Sequence, residues 1–122
     1  MKNRKTILIV DDDDLLSQTI QGLMEVRGHV VTCCGYALEA AKLSENHDFD
    51  LVLIDYNMPV IKGDLVCRLI RHARPKAYIV GMSTDSKEQD FINAGANKFL
   101  DKACLVQDIS LLYDLIKTSS LP

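Results

Sequence analysis

The sequence has 122 residues, of which 48% are apolar and 25% are charged, and its formal net charge is −3. These values are typical of one globular domain and give no basic bias toward nucleic acid. No apolar stretch approaches the roughly 20 residues that a membrane span needs, and no N-terminal segment has the pattern of a secretory signal, so we expect a cytoplasmic protein.

Five short apolar runs rich in β-branched residues predict strands that are buried on both faces of a sheet. In chain order they are TILIV at 6–10, HVVTC at 29–33, DLVLI at 50–54, YIVGMS at 78–83 and KFLD at 98–101. A helical spacing of apolar residues follows each run. The predicted elements therefore alternate as five strand-helix pairs.

Signals for the helix ends lie between these runs. The first helix follows four consecutive aspartates, of which Asp13 and Asp14 are expected to cap it or to lie in its first turn. Ser86 and Gln89 form a capping-box pattern that is predicted to open the fourth helix. One continuous fifth helix is predicted from the apolar positions in 105–116.

Strands that are separated by helices pair in parallel, and right-handed crossovers place the helices on both faces of the sheet. We therefore expect an α/β fold with a doubly wound, flavodoxin-like (βα)5 sheet in strand order 2-1-3-4-5. The chain 1–122 is interpreted as a single domain. Its core is expected at about 5–117, with a polar tail or the start of a linker at 118–122.

The remaining cysteine, histidine and basic residues suggest structural or surface roles. No cysteine or histidine pattern has the spacing of a zinc site, and the adjacent Cys33 and Cys34 would point to opposite faces of a strand, so free thiols are expected. A basic cluster follows late in the third helix and is interpreted as a solvated surface, with a docking surface as the alternative. It consists of Arg68, Arg71, His72, Arg74 and Lys76.

Polar side chains gather where the strands of the predicted sheet end. Asp11 and Asp12 follow the first strand, and Asp55 follows the third. Two carboxylates about 4 Å apart repel by roughly 4 kcal/mol at an effective dielectric near 20, so these aspartates require a cation such as Mg²⁺, which prefers oxygen ligands. A carboxylate can accept a phosphoryl group when a lysine and a hydroxyl stabilise the transferred charge, and Lys102 and Ser83 supply both at the same edge.

These residues, in this order, resemble the receiver domain of two-component response regulators over nearly the whole chain. The matching segments are ILIVDDD at 7–13, DLVLIDYNMP at 50–59, Gly63, VGMST at 80–84 and GANKFLDK at 95–102. The resemblance implies a phosphorylation-controlled signalling module. It is not expected to be an enzyme beyond self-catalysed phosphotransfer and autodephosphorylation.

The resemblance also implies roles for individual residues. Asp55 would be the phosphoacceptor, and Lys102 would pair with the phosphoryl group. The metal, Mg²⁺ or Mn²⁺, would be bound by Asp11, Asp12, Asp55 and the backbone carbonyl of Asn57. Ser83 and Phe99 would form the switch, and the lifetime of the phosphoryl group would be tuned by Asn57, Thr84 and Asp85. Ser83 and Lys102 are 19 positions apart, fewer than is usual in the family, so the segment that opens the fourth helix is expected to be shortened.

The implied phosphodonor is a histidine kinase or a phosphotransfer protein, whereas the downstream protein partner or output domain is unknown. Added negative charge is expected to shift the face formed by the fourth helix, fifth strand and fifth helix, where a partner or a second copy in a homodimer would bind. No direct binding of nucleic acid or membrane is expected. The sequence leaves open whether the chain is a whole protein or an excised receiver.

Several residues near the predicted switch depart from the family pattern. Ala103 replaces the proline that usually follows the lysine, so a trans Lys102–Ala103 bond is predicted. Phe99 has no hydroxyl, and Thr84 is larger than the residue usually found there. These departures favour one alternative, a receiver-like binding module that works without phosphorylation. Another, an aspartate-nucleophile phosphatase of the haloacid dehalogenase type, would need an acid at position 57, where Asn57 cannot protonate a leaving group.

Overall fold

The fold contains one sheet of five parallel strands. The computed structural model describes residues 4–119. Its strands are β1 (Thr6–Val10), β2 (Val30–Cys34), β3 (Leu51–Asp55), β4 (Ile79–Ser83) and β5 (Lys98–Asp101). They are ordered β2-β1-β3-β4-β5, which confirms the predicted topology. Residues 120–122 of the predicted tail lie outside the described residues.

Six helices within the described residues cover both faces of this sheet. They are α1 (Asp14–Val26), α2 (Ala37–Asn46), α3 (Gly63–Ala73), α4 (Glu88–Asn93), α5 (Lys102–Gln107) and α6 (Ser110–Ser119). Helices α2, α3 and α4 contribute to the core on one face, and α1, α5 and α6 contribute to the core on the other. The molecule is therefore doubly wound, as predicted.

Alternate side chains of each strand enter these two cores, because successive residues of a strand point to opposite faces. In β1, Leu8 and Val10 pack with α2 to α4, whereas Ile7 and Ile9 pack with α1, α5 and α6. Each is fully buried, which stabilises the fold by about 1.5–3 kcal/mol per side chain. The resulting register sets Val10 beside Ile54, so the next residue of each strand lies at the same edge.

The predicted capping box of the fourth helix is wrong. Helix α4 begins at Glu88, and its N-cap residue, Lys87, makes no side-chain capping hydrogen bond. The amide of Lys87 donates to the carbonyl of Asp85 at 2.9 Å, which forms a tight turn and keeps Ser86 outside the N-cap position. Helix α4 has six residues.

The predicted fifth helix is also wrong as one continuous element, since α5 and α6 are separate. Asp108 lies between them with φ −140° and ψ 91°, an extended conformation that ends α5. Its carboxylate accepts hydrogen bonds from the amide and the hydroxyl of Ser110 at 3.1 and 2.6 Å. Aspartate competes in this way with helical hydrogen bonding. At α1, Asp13 is the N-cap and its side chain accepts from the amide of Leu16, while the side chain of Asp14 is outside the described atoms.

The interpretation of the basic cluster as a solvated surface does not hold for two of its members. The guanidinium of Arg71 donates to the carbonyls of Ala77 and Gly95 at 2.7–2.9 Å. The guanidinium of Arg74 donates to the carbonyl of Ser44 at 2.8 Å. Both side chains join the ends of neighbouring elements.

Candidate functional site

Three carboxylates meet at the carboxyl edge of β1 and β3. Asp11 and Asp55 are each 3% exposed, whereas Asp12 is exposed. One carboxylate oxygen from each of the three lies within 4.8 Å of those of the other two. The register of β1 and β3 produces this cluster, so the sequence-based prediction that these residues come together is confirmed.

The buried carboxylate of Asp11 is incompletely hydrogen-bonded. Its Oδ1 accepts from the amide of Asp13 at 2.9 Å. Its Oδ2 has no hydrogen bond of good geometry besides an ion pair with Lys102. Burial raises the pKa of Asp11, and the charge of Asp55 adds to this effect, although the Asp13 amide and Lys102 oppose it. Asp11 is therefore a buried acceptor that a further cation would satisfy.

Lys102 bridges the two buried aspartates. Its Nζ lies 3.0 Å from Oδ1 of Asp55 and 3.1 Å from Oδ2 of Asp11. Burial lowers the pKa of Lys102, but the hydrogen bonds and charges of Asp55 and Asp11 together outweigh burial and leave the pKa raised. The lysine is held at this position as the first residue of α5, after the N-cap Asp101. The bond to Ala103 is trans, as predicted.

Ser83 ends β4 at the neighbouring position of the same edge. Asp55 pairs with Met82 in the register of β3 and β4, so Ser83 lies one residue beyond this pair. Its side chain is fully buried, and its Oγ accepts from the amide of Asp85 at 3.0 Å. This hydrogen bond uses a lone pair of the hydroxyl and not its proton. Thr84 and Asp85 follow as exposed residues.

The β3–α3 loop passes close to Asp55. Asn57 is exposed in this loop. A Cβ at Gly63 would overlap the carbonyl oxygen of Asp55, so only glycine permits α3 to begin there. Val60 has φ 69° and is fully exposed, which is an unusual backbone conformation for a β-branched residue.

An aromatic row, consisting of Tyr56, Phe91 and Phe99, lies beside the site and was missed by sequence reasoning except for Phe99. The ring of Phe91 is 6.1 Å from that of Tyr56 and 6.0 Å from that of Phe99, between centroids. Phe91 is fully buried against Gly81, where a Cβ would overlap its ring. The available signal was Gly81, because a glycine inside a strand often marks a close approach.

The donor set fits a hard divalent cation. Carboxylate oxygens are the ligands that Mg²⁺ prefers, and two of the three carboxylates are buried next to each other. Oδ2 of Asp11 supports this fit, because it is buried and makes no polar contact besides the ion pair with Lys102. The arrangement thus combines a cluster of carboxylates that could hold a cation, a positioned ammonium beside Asp55 and a buried hydroxyl at the end of the neighbouring strand.

Comparison with known proteins agrees with this geometry. The model of the response regulator receiver domain family matches residues 7–114. The cell cycle transcriptional regulator CtrA of Caulobacter vibrioides is 30% identical over 100 residues, which cover 79% of this chain and 43% of CtrA. The chain therefore spans less than half the length of that relative. Two-component response regulator 24 of Arabidopsis thaliana is 26% identical over 121 residues, covering 93% of this chain and 86% of the relative.

A solved structure gives the same result for the fold. The response regulator TrrA of Thermotoga maritima, determined in complex with Mg²⁺ and BeF, superposes with a TM-score of 0.84 at 25% identity. The match covers 94% of this chain and 98% of TrrA. Among residues 4–119, none of the helices is both long enough and apolar enough to span a bilayer.

Proposed function

This chain belongs to the family of response regulator receiver domains, and we propose that its Asp55 accepts a phosphoryl group from a histidine kinase or a phosphotransfer protein. The observation that carries the proposal is the contact of Lys102 Nζ with Oδ1 of Asp55 at 3.0 Å, within a buried acidic edge. Burying a carboxylate costs free energy, and a purely structural role at a strand end would not require it. A positioned ammonium beside it is suited to a group that gains negative charge.

In the proposed reaction a carboxylate oxygen of Asp55 attacks the phosphorus of a phosphohistidine. The P–N bond breaks, its electron pair goes to the imidazole nitrogen, and the ring takes up a proton from solvent. A new P–O bond forms an acyl phosphate on Asp55. Lys102 pairs with the negative charge of the bound group, and the Ser83 hydroxyl donates its proton to a phosphoryl oxygen while its lone pair still accepts from Asp85.

A divalent cation, Mg²⁺ or Mn²⁺, would be held by the carboxylates of Asp11, Asp12 and Asp55 and by the backbone carbonyl of Asn57. When bound, it neutralises charge on the transferring group. Asn57, Thr84 and Asp85 would set the lifetime of the acyl phosphate, because they are exposed next to the site and control the approach of water. Ser83 and Phe99 would transmit the phosphorylated state to the protein surface. The domain would signal through this change and would not turn over a separate substrate.

The proposal is tested by incubating the protein with acetyl phosphate or phosphoramidate and Mg²⁺, followed by intact mass spectrometry. We expect the mass of one phosphoryl group to be added and to be absent from Asp55→Asn. Asp90→Asn, which changes an exposed carboxylate of α4, is the matched control and should be phosphorylated like the wild type. An unmodified wild type would refute the proposal in favour of a binding module that works without phosphorylation. A phosphorylated Asp55→Asn would refute the assignment of the residue.

A further inference from the structure

The outer side of β2 is an edge of the sheet. In the part of the chain that the structure describes, β2 is the first strand in the sheet order and β1 is its only neighbour. The amide of Val30 donates to the carbonyl of Lys5 at 2.9 Å, so the backbone groups of Val30 point toward β1. Because these groups alternate in direction along a strand, the N–H and C=O of Val31 point away from β1. Val31 thus offers a hydrogen-bond donor and an acceptor at the edge of the sheet.

The side chains of β2 do not block pairing at this edge. Edge strands commonly carry lysine, proline or an inward-pointing charge, which prevents another chain from adding a strand. The sequence of β2, VVTCC, contains none of these, and its valines and threonine are favoured in strands. An edge with these properties is suited to accept an extended segment as an additional strand.

A pocket of about 290 Å³ lies beside β2, on the face of the sheet that α2 covers. Val30 and Thr32 of β2 line it, and Leu43 of α2 and Phe49 add apolar surface. The other lining residues are Thr6, His47 and Asp48. Val30 is 41% exposed, so part of this apolar surface is uncovered. The volume is small for a cofactor site and suits one long side chain.

Asp48 gives this pocket a negative charge that the described residues leave unneutralised. Among residues 4–119 its carboxylate forms no ion pair and accepts no hydrogen bond, and no lysine or arginine of this range lines the pocket. The carboxylate of Asp50 differs, since it accepts from the amide and the hydroxyl of Thr6 at 2.8 and 3.1 Å. The pocket therefore favours a cationic side chain with a long apolar stem, as in lysine.

We propose that β2 pairs with an extended segment of a partner protein and that the pocket binds a lysine side chain of this segment. Antiparallel pairing is slightly more stable than parallel pairing, and in it the residue opposite Val31 exchanges both backbone hydrogen bonds with Val31. The lysine precedes this residue and lies opposite Thr32, in a pair without hydrogen bonds, where side chains of the same face lie closest. Its stem then covers the apolar lining of the pocket, and its ammonium pairs with Asp48.

The edge and the pocket have different roles in this interaction. Backbone hydrogen bonds to β2 give affinity for any extended segment, whereas the pocket selects the lysine. Both lie at the opposite end of the sheet from Asp55, because Thr6 and Val30, the first residues of β1 and β2, line the pocket and Asp55 is the last residue of β3. The inference therefore does not depend on the proposed phosphorylation.

The test uses the peptide Thr-Val-Lys-Val-Thr with an N-terminal fluorescein, measured by fluorescence anisotropy in about 0.15 M salt with protein up to about 1 mM. We expect saturable binding that weakens about fivefold or more when glutamine replaces the lysine of the peptide. N-methylation of the valine that follows the lysine removes the N–H that donates to the carbonyl of Val31, and should weaken binding about fivefold or more. N-methylation of the lysine itself is the matched control, because its N–H points away from β2, and should change binding by less than about twofold.

Protein variants separate the pocket from attraction by net charge. Asp48→Asn should weaken the peptide about fivefold, whereas the matched control Asp90→Asn, at an exposed carboxylate of α4, should stay within about twofold of the wild type. Melting temperatures establish that both variants are folded. Equal loss in both variants would overturn the proposal, as would the absence of saturable binding, equal binding of the glutamine peptide or equal binding of the peptide methylated at the valine.

Sedimentation of the protein alone provides the remaining outcome. A dimer that the peptide dissociates would assign the edge of β2 to a second copy of the chain and would also overturn the proposal. A monomer that binds the peptide with the expected differences supports it.

Discussion

Replacing Gly81 by alanine tests the close packing of α4 on the sheet. Gly81 lies in β4, and its backbone has no positive φ, so alanine introduces no backbone strain. Its new Cβ would overlap the ring of Phe91, which is fully buried and contacts Tyr56 and Phe99 on either side. The ring has no open space to enter, so the core must expand or α4 must shift.

The expected cost follows from two opposing effects. Adding a methyl to a filled core commonly costs about 1–3 kcal/mol. Alanine is favoured over glycine in a strand by about 0.5–1 kcal/mol, which offsets part of that cost. A Cβ that overlaps a fully buried ring belongs in the upper half of that range, at about 2–3 kcal/mol, so we expect Gly81→Ala to lower the free energy of unfolding by about 1–2.5 kcal/mol. At a urea m-value of about 2 kcal/mol per molar, the transition midpoint falls by roughly 0.5–1.2 M.

Urea denaturation of Gly81→Ala, Phe91→Leu and the double variant measures this packing directly. Phe91→Leu alone leaves a space, and the methyl of Gly81→Ala fills it in the double variant. The double variant should therefore lose less free energy of unfolding than the sum of the two single losses, by about 1 kcal/mol or more. Gly22→Ala is the matched control, since nothing lies within 4 Å of a Cβ at this helical position, and it should stabilise by about 0.5–1 kcal/mol. A neutral Gly81→Ala, or strict additivity with Phe91→Leu, would refute the reasoning.

Three further predictions concern other parts of the molecule. Millimolar Mg²⁺ should raise the melting temperature of the wild type, because a bound cation relieves the repulsion among the three carboxylates. Without metal, Asp12→Asn should melt at a higher temperature than the wild type, and Mg²⁺ should raise its melting temperature less. An unchanged melting temperature of the wild type in Mg²⁺ would contradict this prediction. The pKa of His29 is lowered by burial and by the charges of Lys5 and Arg27. The unfolded chain then binds more protons just below about pH 6.5, so stability should fall as pH drops through this region, and the fall should be smaller in His29→Gln in urea titrations at several pH values. Arg71→Lys should lower the free energy of unfolding by about 2 kcal/mol or more in urea titrations, because an ammonium cannot replace the guanidinium that donates to several carbonyls. The control is Arg68→Lys at an exposed position, which should change it by less than about 0.5 kcal/mol.

The fold was predictable because its signals are local and repeated. Each apolar run marks a strand buried on both faces, and the intervening helical patterns leave parallel pairing as the consistent arrangement. The two helix errors have a different origin. Ser86 and Gln89 match a capping pattern, but the tight turn before Lys87 decides where α4 starts. Asp108 separates α5 from α6, because its carboxylate accepts hydrogen bonds from Ser110 and these outweigh the apolar spacing that predicted one continuous helix.

The acidic part of the site was equally predictable, since residues at the ends of adjacent parallel strands must meet. Register places Asp11 beside Asp55, and Lys102 follows directly from the end of β5. The aromatic row depends on contacts between elements that are distant in sequence. No periodic pattern shows that the ring of Phe91 fills the space above Gly81, although the glycine itself is visible in the sequence.

The ion pairs of Lys102 offset the repulsion within this acidic edge. Two carboxylates buried side by side repel, and their ammonium partner compensates this repulsion through contacts of 3.0 and 3.1 Å. The same Oδ2 of Asp11 that pairs with Lys102 is an oxygen that the proposed cation would use. Lysine and metal therefore draw on the same buried charge. The lysine that stabilises the metal-free fold must also limit the affinity for the cation, and removing its charge should tighten metal binding while the metal-free protein loses stability.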